Sequence, residues 1–130
     1  AQAALKIAID WARERETFRS RLADKQAVQW MVADSEMELR AARLLTYQAA
    51  WIGDLGKGDL KVASSIAKVV ATETAGRVVD RCIQILGALG VSRELPLERW
   101  YRELRIKRIG EGPSEVHRMV LARQLLGVGR

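Results

Sequence analysis

Three short segments hold the residues whose types and spacing suit chemistry. The most pointed is Ile109-Gly110-Glu111-Gly112-Pro113-Ser114-Glu115, where a carboxylate stands between two glycines immediately before a helix start. The glycines free the backbone to set Glu111 against a flat substrate, and the dipole of the following helix favours the ionised carboxylate. Burial beneath a ligand acts the other way and raises its proton affinity. A general base uses both effects: it is charged while the site is empty and accepts a proton once water is excluded. The same composition also describes an ordinary exposed loop. The second segment is Arg13-Glu14-Arg15-Glu16-Thr17-Phe18-Arg19-Ser20-Arg21. Arginines, a hydroxyl and backbone N–H groups near a helix start suit phosphate, and a solvated loop between helices is the alternative. The third is Gln84-Ile85-Leu86-Gly87-Ala88-Leu89-Gly90, whose small residues either admit a flat ligand or a second backbone, or simply cap a helix.

Other chemistries are poorly served. One His (His117) and one Cys (Cys82) give no zinc site of the His/Cys type, and no metal is expected. A single thiol makes no internal disulfide, the pattern of a reduced, intracellular chain. No phosphate-binding loop of the Gly-x-x-x-x-Gly-Lys-Ser/Thr form occurs, and Gly87-Ala88-Leu89-Gly90 follows a helix, so it is no dinucleotide fingerprint. Ser114 and His117 stand three apart on one helix, a spacing too common to mark a nucleophile and its base; His117 reads as a surface or packing residue.

The elements that position these segments are helical. The 130 residues are 48% hydrophobic and 29% charged, with no apolar run near the roughly 20 residues of a membrane span. Lys6 and Asp10 interrupt the apolar start, so no signal peptide is expected; the chain begins mid-pattern without Met, as if cut from a longer one. Helical spacing predicts a first helix from the start to about Arg15, and Asp24 as the N-cap of a second. That second helix carries Val28, Met31, Val32, Ser35, Leu39, Ala42, Leu45, Ala49 and Ile52 inward and Glu36, Arg40 and Arg43 outward. It stops at Gly53-Asp54 or at Gly56-Lys57-Gly58. A third helix, Asp59 to Leu86, has one stripe of Val62, Ile66, Val69, Gly76, Val79, Ile83 and Leu86. It has another of Ala63, Ala67, Ala71 and Ala75, which lets a neighbouring helix approach closely. Apolar on two sides, it belongs inside a bundle. Pro96 opens a fourth helix to about Lys107, and Pro113 a fifth whose apolar set is Val116, Met119, Val120 and Leu125. The fold expected is a single all-α domain, an antiparallel four-helix bundle with one extra short helix.

With 22 Lys+Arg against 16 Asp+Glu, the chain has a formal charge of +6 and a pI near 10.0. Such a balance favours anionic partners: phosphate-bearing cofactors, acidic surfaces or nucleic acid. A nucleic-acid module is the weaker reading. The arginines are dispersed and interleaved with Glu14, Glu16, Glu98 and Glu103, and aromatics placed to stack bases are lacking.

Five motifs follow one another through nearly the whole chain. They are Arg15-x-x-Phe18 with Gln26; Ala33-Asp34-Ser35 with Ala41-Ala42-Arg43; Gln84-Ile85-Leu86-Gly87 with Gly90; Pro96-Leu97-Glu98-Arg99-Trp100-Tyr101-Arg102; and Ile109-x-Glu111-Gly112-x-Ser114-Glu115. In this order they resemble the C-terminal helical domain of the acyl-CoA dehydrogenase family. Its corresponding stretches run R-x-x-F-G…Q, A-D-M…A-A-R, Q-x-x-G-G-x-G, Y-P-V-E-R-x-Y-R-D and I-Y-E-G-T-S-E. Arg19, Ala88, Val91 and Pro113 depart from the pattern, as in an atypical branch, and bear on cofactor contacts more than on Glu111.

The resemblance implies α,β-dehydrogenation of acyl-CoA thioesters with FAD as hydride acceptor. Glu111 is then the base and Gly112 lies against the thioester. It implies that Arg15, Thr17 and Phe18 meet the pyrophosphate and adenine side of an FAD bound mainly by a partner subunit. Gln84 and Gly87 face that same FAD, and Glu115 approaches the flavin or its ribose. Residues 1–130 are then the C-terminal fragment of a three-domain flavoenzyme, a homodimer or homotetramer served by an electron-transfer acceptor. Its place is the cytoplasm of a bacterium, or the mitochondrial matrix or peroxisome of a eukaryote, with no nucleic-acid partner. Some members carry the base on a helix that would lie upstream of residue 1. The fragment alone is expected to bind no FAD tightly and to turn over nothing. A non-catalytic relative kept as an oligomerisation domain is the remaining alternative.

Overall fold

Alanine and leucine at three- and four-residue spacing, with glycine and proline confined mostly to the joints, favour helix throughout. The computed structural model describes residues 1–56 and 58–129. In them run α1 (Gln2–Glu14), a hairpin of β1 (Glu16–Thr17) and β2 (Ser20–Arg21), and a 3-10 turn at Leu22–Asp24. They continue with α2 (Gln26–Leu55), α3 (Leu60–Leu86), α4 (Ala88–Val91), α5 (Leu97–Lys107) and α6 (Ser114–Leu126). The α2 helix ends on Gly56, whose φ of +59° suits the left-handed stop that glycine provides. Lys57, part of the expected stop, lies outside the described residues.

The axis of the bundle is α3, about 40 Å long at 27 residues. Asp59 caps it, its carboxylate accepting from the Val62 N–H at 3.0 Å. The α2 helix runs antiparallel beside it: Glu38 pairs with Arg77 and Arg81 at 2.9 and 2.7 Å, while Gly53 lies against Leu60 at the far end. In turn α1 lies antiparallel to α2, with Arg43 donating to Gln2 and Ile9 beside Val28. Against α3, α5 and α6 follow one another head to tail, Tyr101 and Arg108 beside Gly76 and His117 beside Ser65. They form one long rod broken at 109–113. The expected four-helix bundle is present, with the short helix expected at Leu97 to about Lys107 as α5; α4 stands where the sequence predicts only a glycine stop after Leu86.

The main core joins Ala4, Leu5, Ala8 and Ala12 of α1 to Val78, Val79, Cys82, Ile85 and Leu86 of α3 and to Leu97 of α5. The i, i+4 alanines of α1 let its backbone close on α3. Burying Leu97 fully contributes about 2 kcal/mol. Burial also pushes the Cys82 thiol up to about 11, which keeps it protonated and unreactive. On α3 the alanine ridge is buried or half-buried, as a helix covered from two directions requires.

Three expectations need correction. Asp24 does not cap α2; its carboxylate accepts from the Arg21 N–H at 3.1 Å and closes the preceding turn, while Lys25 stands at the N-cap with no side-chain bond. The segment after Arg15 is no open loop, because Glu16 pairs with Arg21 and Thr17 with Ser20. In α6, Val116, Met119 and Leu125 point outward, since the helix meets α3 through Ser114, His117 and Val120. One helical turn separates the first two of these, so a partly polar face does the packing.

Candidate active site

The loop between α5 and α6 is built from both ends. The Ile109 and Gly110 N–H groups both return to the Ile106 carbonyl at 2.9 Å, and the Ser114 N–H reaches the Arg108 carbonyl at 3.1 Å. Between these anchors Glu111 takes φ +57° and Gly112 φ +94°. A left-handed non-glycine residue costs on the order of 1–2 kcal/mol, so its surroundings must hold it.

Two side chains do so. Lys68 of α3 donates through Nζ to the Gly112 carbonyl. The Nε2 of His117 lies 3.3 Å from the Glu111 carbonyl, which only accepts, so that nitrogen carries the proton. Its Nδ1 faces the Ser65 hydroxyl at 3.1 Å. A Cβ on Gly112 would stand 2.9 Å from His117 Nε2, so glycine is required there for both conformation and space. Gly110 has no positive φ, and a Cβ on it would meet only the Ile106 carbonyl at 3.6 Å. Of the two glycines flanking Glu111, one frees the loop.

With both carbonyls engaged, the loop presents the opposite side of its peptides. Among the described residues the N–H groups of Glu111 and Gly112 make no hydrogen bond. The exposed Glu111 carboxylate has neither an ion pair nor a hydrogen bond there. An unpaired carboxylate next to two free backbone donors can take a proton from carbon and meet the negative charge left behind. Glu115 is exposed on the first turn of α6, one turn beyond. Nearby, Arg118 of α6 pairs with Glu73 of α3 at 2.7 Å; that hydrogen bond holds the Glu73 carboxyl below its usual range against the opposing effect of burial.

A second cluster forms at the far end of α3. Trp11, Arg15, Thr17 and Leu22 face Ile85, Leu86, Gly87, Ala88 and Leu89 across a cleft of about 410 Å³. The Arg15 guanidinium lies 5.9 Å from the Trp11 ring centre, and the Arg15 carbonyl accepts from the Leu22 N–H at 2.8 Å, closing the base of the hairpin. Gly87 takes φ +63° and its missing Cβ would meet nothing within 4 Å, leaving its backbone open to the cleft. At Gly90, by contrast, the small residue accommodates the chain itself: a Cβ would stand 2.8 Å from the Ile83 carbonyl.

Of the residues singled out in the sequence, Arg15, Thr17 and Gly87 therefore share one cleft, with Gln84 exposed one turn before Gly87. Phe18 stands apart at the hairpin tip, 95% exposed. Gly112, next to Glu111, meets Lys68, nineteen residues before Gly87 on α3 and so about 28 Å away, with Glu115 on the first turn of α6. Ser114 and His117 share no hydrogen bond. Sequence reasoning missed Lys68 and set His117 aside as packing. The available signal was a lone cation inside the otherwise apolar run Ile66-Ala67-Lys68-Val69-Val70-Ala71.

Residues 1–126 match the family described as acyl-CoA dehydrogenase, C-terminal domain. The chain is 46% identical over all its 130 residues to (R)-benzylsuccinyl-CoA dehydrogenase of Thauera aromatica, covering 32% of that protein. Among solved structures it is similar to butyryl-CoA dehydrogenase from Megasphaera elsdenii (TM-score 0.92, 38% identity, 96% of this chain and 32% of that one). It is also similar to the FAD complex of PigA (TM-score 0.91, 26% identity, 95% of this chain and 32% of that one). The chain thus spans about a third of the length of these relatives. Among the described residues no helix is long and apolar enough to cross a membrane.

Proposed function

Because the chain belongs to the acyl-CoA dehydrogenase family, as its C-terminal helical domain, we propose that it works within an FAD-dependent enzyme that oxidises acyl-CoA thioesters between Cα and Cβ. The observation that carries this reading is Glu111: a carboxylate with no ion pair or hydrogen bond among the described residues, on a left-handed residue held by His117 and Lys68. The proton α to a thioester carbonyl is weakly acidic, and its removal needs a base at close range plus donors for the enolate oxygen. Glu111 takes that proton on its carboxylate, and the free N–H groups of Glu111 and Gly112 are the nearest donors for the oxygen. Gly112 lies against the thioester beside the base.

The far cleft fits part of FAD. Arg15 offers a guanidinium, Thr17 a hydroxyl and Gly87 an open backbone, the groups that bind phosphate and a flat ring. At about 410 Å³ the cleft holds one portion of a dinucleotide, so the rest belongs to a partner subunit and to further domains. Gln84 and Phe18 flank that portion, and Glu115 lies on the side of the base. FAD, when bound, supplies the acceptor for the hydride leaving Cβ. The 28 Å between the clusters means that each chain serves two flavins, its own beside Glu111 and a partner's beside Arg15. A homodimer or homotetramer, passing electrons on to a soluble acceptor, follows from that sharing.

The test is Glu111→Gln in the polypeptide that carries this chain with its other domains. Dehydrogenation should fall by at least about 10³-fold while FAD stays bound. Retained turnover places the base elsewhere, including on a segment upstream of residue 1. The isolated 130 residues should purify colourless and inactive; a yellow preparation contradicts the shared cofactor site.

A further inference from the structure

Ser65 is buried on α3, 4% exposed, and its hydroxyl is not spent on its own helix. Other helical hydroxyls are. Ser35, Thr46 and Thr72 return theirs to the carbonyl four residues earlier at 2.6, 2.9 and 2.8 Å, and Ser64 bonds the Lys61 carbonyl at 3.2 Å. Ser65 instead faces across to α6, where its oxygen lies 3.1 Å from His117 Nδ1. Three residues further along α3, on the same face, Lys68 donates to the Gly112 carbonyl. One turn of α3 thus reaches two consecutive carbonyls of the loop, Gly112 directly and Glu111 through His117.

We propose that Ser65 is a positioning residue for the dehydrogenation: its hydroxyl donates to His117 Nδ1 and so fixes the imidazole that holds the Glu111 carbonyl. The inference rests on the reading of Glu111 as the base. That carbonyl can only accept, so His117 Nε2 carries the proton; in a neutral ring Nδ1 is then a bare acceptor, and Ser65 is the donor beside it. The hydrogen bond at one ring nitrogen decides which tautomer the other presents. Without Ser65 the ring is held at one end alone. It can turn about that bond, or take the tautomer whose bare Nε2 repels the carbonyl 3.3 Å away. A displaced ring also disturbs the loop directly, since Nε2 stands 2.9 Å from the place that a Gly112 Cβ would take. Glu111 sits at φ +57°, a conformation that lasts only while its neighbours impose it. Losing the support of its carbonyl lets the peptide between 111 and 112 relax and carries the carboxylate away from the substrate α-proton. Ser65 bonds only the ring, so its removal acts on the rate and not on substrate affinity.

Single-turnover flavin reduction and steady-state kinetics, on the polypeptide that carries this chain with its other domains, test the relay. Ser65→Ala should slow flavin reduction and kcat about 10-fold, with KM and bound FAD unchanged. Alanine suits a buried helical site and leaves the bundle folded. His117→Leu removes both bonds and should cost about 10- to 100-fold. His117→Gln keeps a donor and an acceptor on one flat group and should stay within about 3-fold of the parent rate. The sharpest comparison is Ser65→Ala placed on His117→Leu, because a residue that works only through the ring adds no further loss there. Ser65→Ala with parent rates overturns the proposal. So does a double variant whose losses multiply, the mark of a packing role independent of the ring, or a His117→Gln enzyme as slow as His117→Leu. Turnover retained in Glu111→Gln fails the base itself; a silent Ser65→Ala beside an inactive Glu111→Gln sinks this inference alone.

Discussion

Lys68, in the third turn of α3, donates to the carbonyl of Gly112, and so ties the central helix of the bundle to the residue that follows Glu111. With His117 bonded one residue earlier, the left-handed pair at 111 and 112 is held from two sides, by α3 and by α6. A strained conformation persists only where its surroundings over-determine it, and here those surroundings are two identifiable side chains.

Removing one of them should loosen the loop without unfolding the bundle. Lys68→Met is expected to lower kcat of the full enzyme by about 10- to 100-fold, because misplacing a catalytic group by an ångström has effects of that size. KM should change much less, FAD content not at all, and unfolding free energy by about 1 kcal/mol. Steady-state kinetics beside a urea melt check this. An unchanged kcat would remove Lys68 from the positioning of Glu111.

The hairpin carries strain of a different origin. Phe18 and Arg19 sit at φ +50° and +64° in the two-residue turn between β1 and β2, a turn that prefers asparagine and glycine. Arg19→Gly relieves on the order of 1 kcal/mol of left-handed strain and gives back about half of it as chain entropy in the unfolded state. The variant should therefore unfold about 0.5 kcal/mol less readily, measured by denaturant midpoint at constant m-value.

Two glycines near the end of α3 should resist alanine for different reasons. At Gly90 a Cβ would press on Ile83 backbone at 2.8 and 2.9 Å, so Gly90→Ala should destabilise by about 2–3 kcal/mol. At Gly87 space is open and the backbone itself resists, because φ +63° with ψ −136° is a region that side chains avoid; Gly87→Ala should cost about 1–3 kcal/mol through strain alone. Thermal unfolding of the pair gives the comparison. A loss below about 1 kcal/mol for Gly90→Ala would contradict the packing described.

Acid should act partly through Glu73. Its carboxyl is held below the usual 4.5 in the folded chain, chiefly by the hydrogen bond from Arg118, and returns to it on unfolding. A folded-state value below the unfolded one means that the contribution is fully present above the usual carboxylate range and fades as pH falls through the folded value. Glu73→Gln should thus flatten the loss of stability between about pH 5 and about pH 3. Parallel pH–stability curves for the two chains would show that the pairing contributes nothing.

Much of the bundle was legible because helices announce themselves by period. The inner stripe of α2, the alanine ridge of α3 and the glycine and proline joints all predict the elements seen. What escaped was set by contacts distant in sequence. Nothing local to Asp24 says that its carboxylate will bond back to Arg21 and leave the helix cap to Lys25. Nothing near Val116 says that α6 will meet α3 through Ser114 and His117. At the site, Glu111 and Gly112 stood out by type and neighbours, whereas Lys68 and Gly112 lie 44 residues apart and meet only after α3 and α6 have packed. Trp30, Met37, Leu44 and Trp51 repeat on the outer face of α2 with the period of its inner stripe, where sequence reasoning saw only Glu36, Arg40 and Arg43; a period alone does not say which apolar stripe a bundle will bury.

The most direct measurement of the central claim is solvent exchange at the substrate α-carbon. In the enzyme that carries this chain, α-deuterated acyl-CoA should lose its label to water when hydride transfer is blocked by a fully reduced flavin. The Glu111→Gln variant should show no exchange above the uncatalysed background. Wash-out at the wild-type rate in that variant would contradict the assignment of Glu111 as the base.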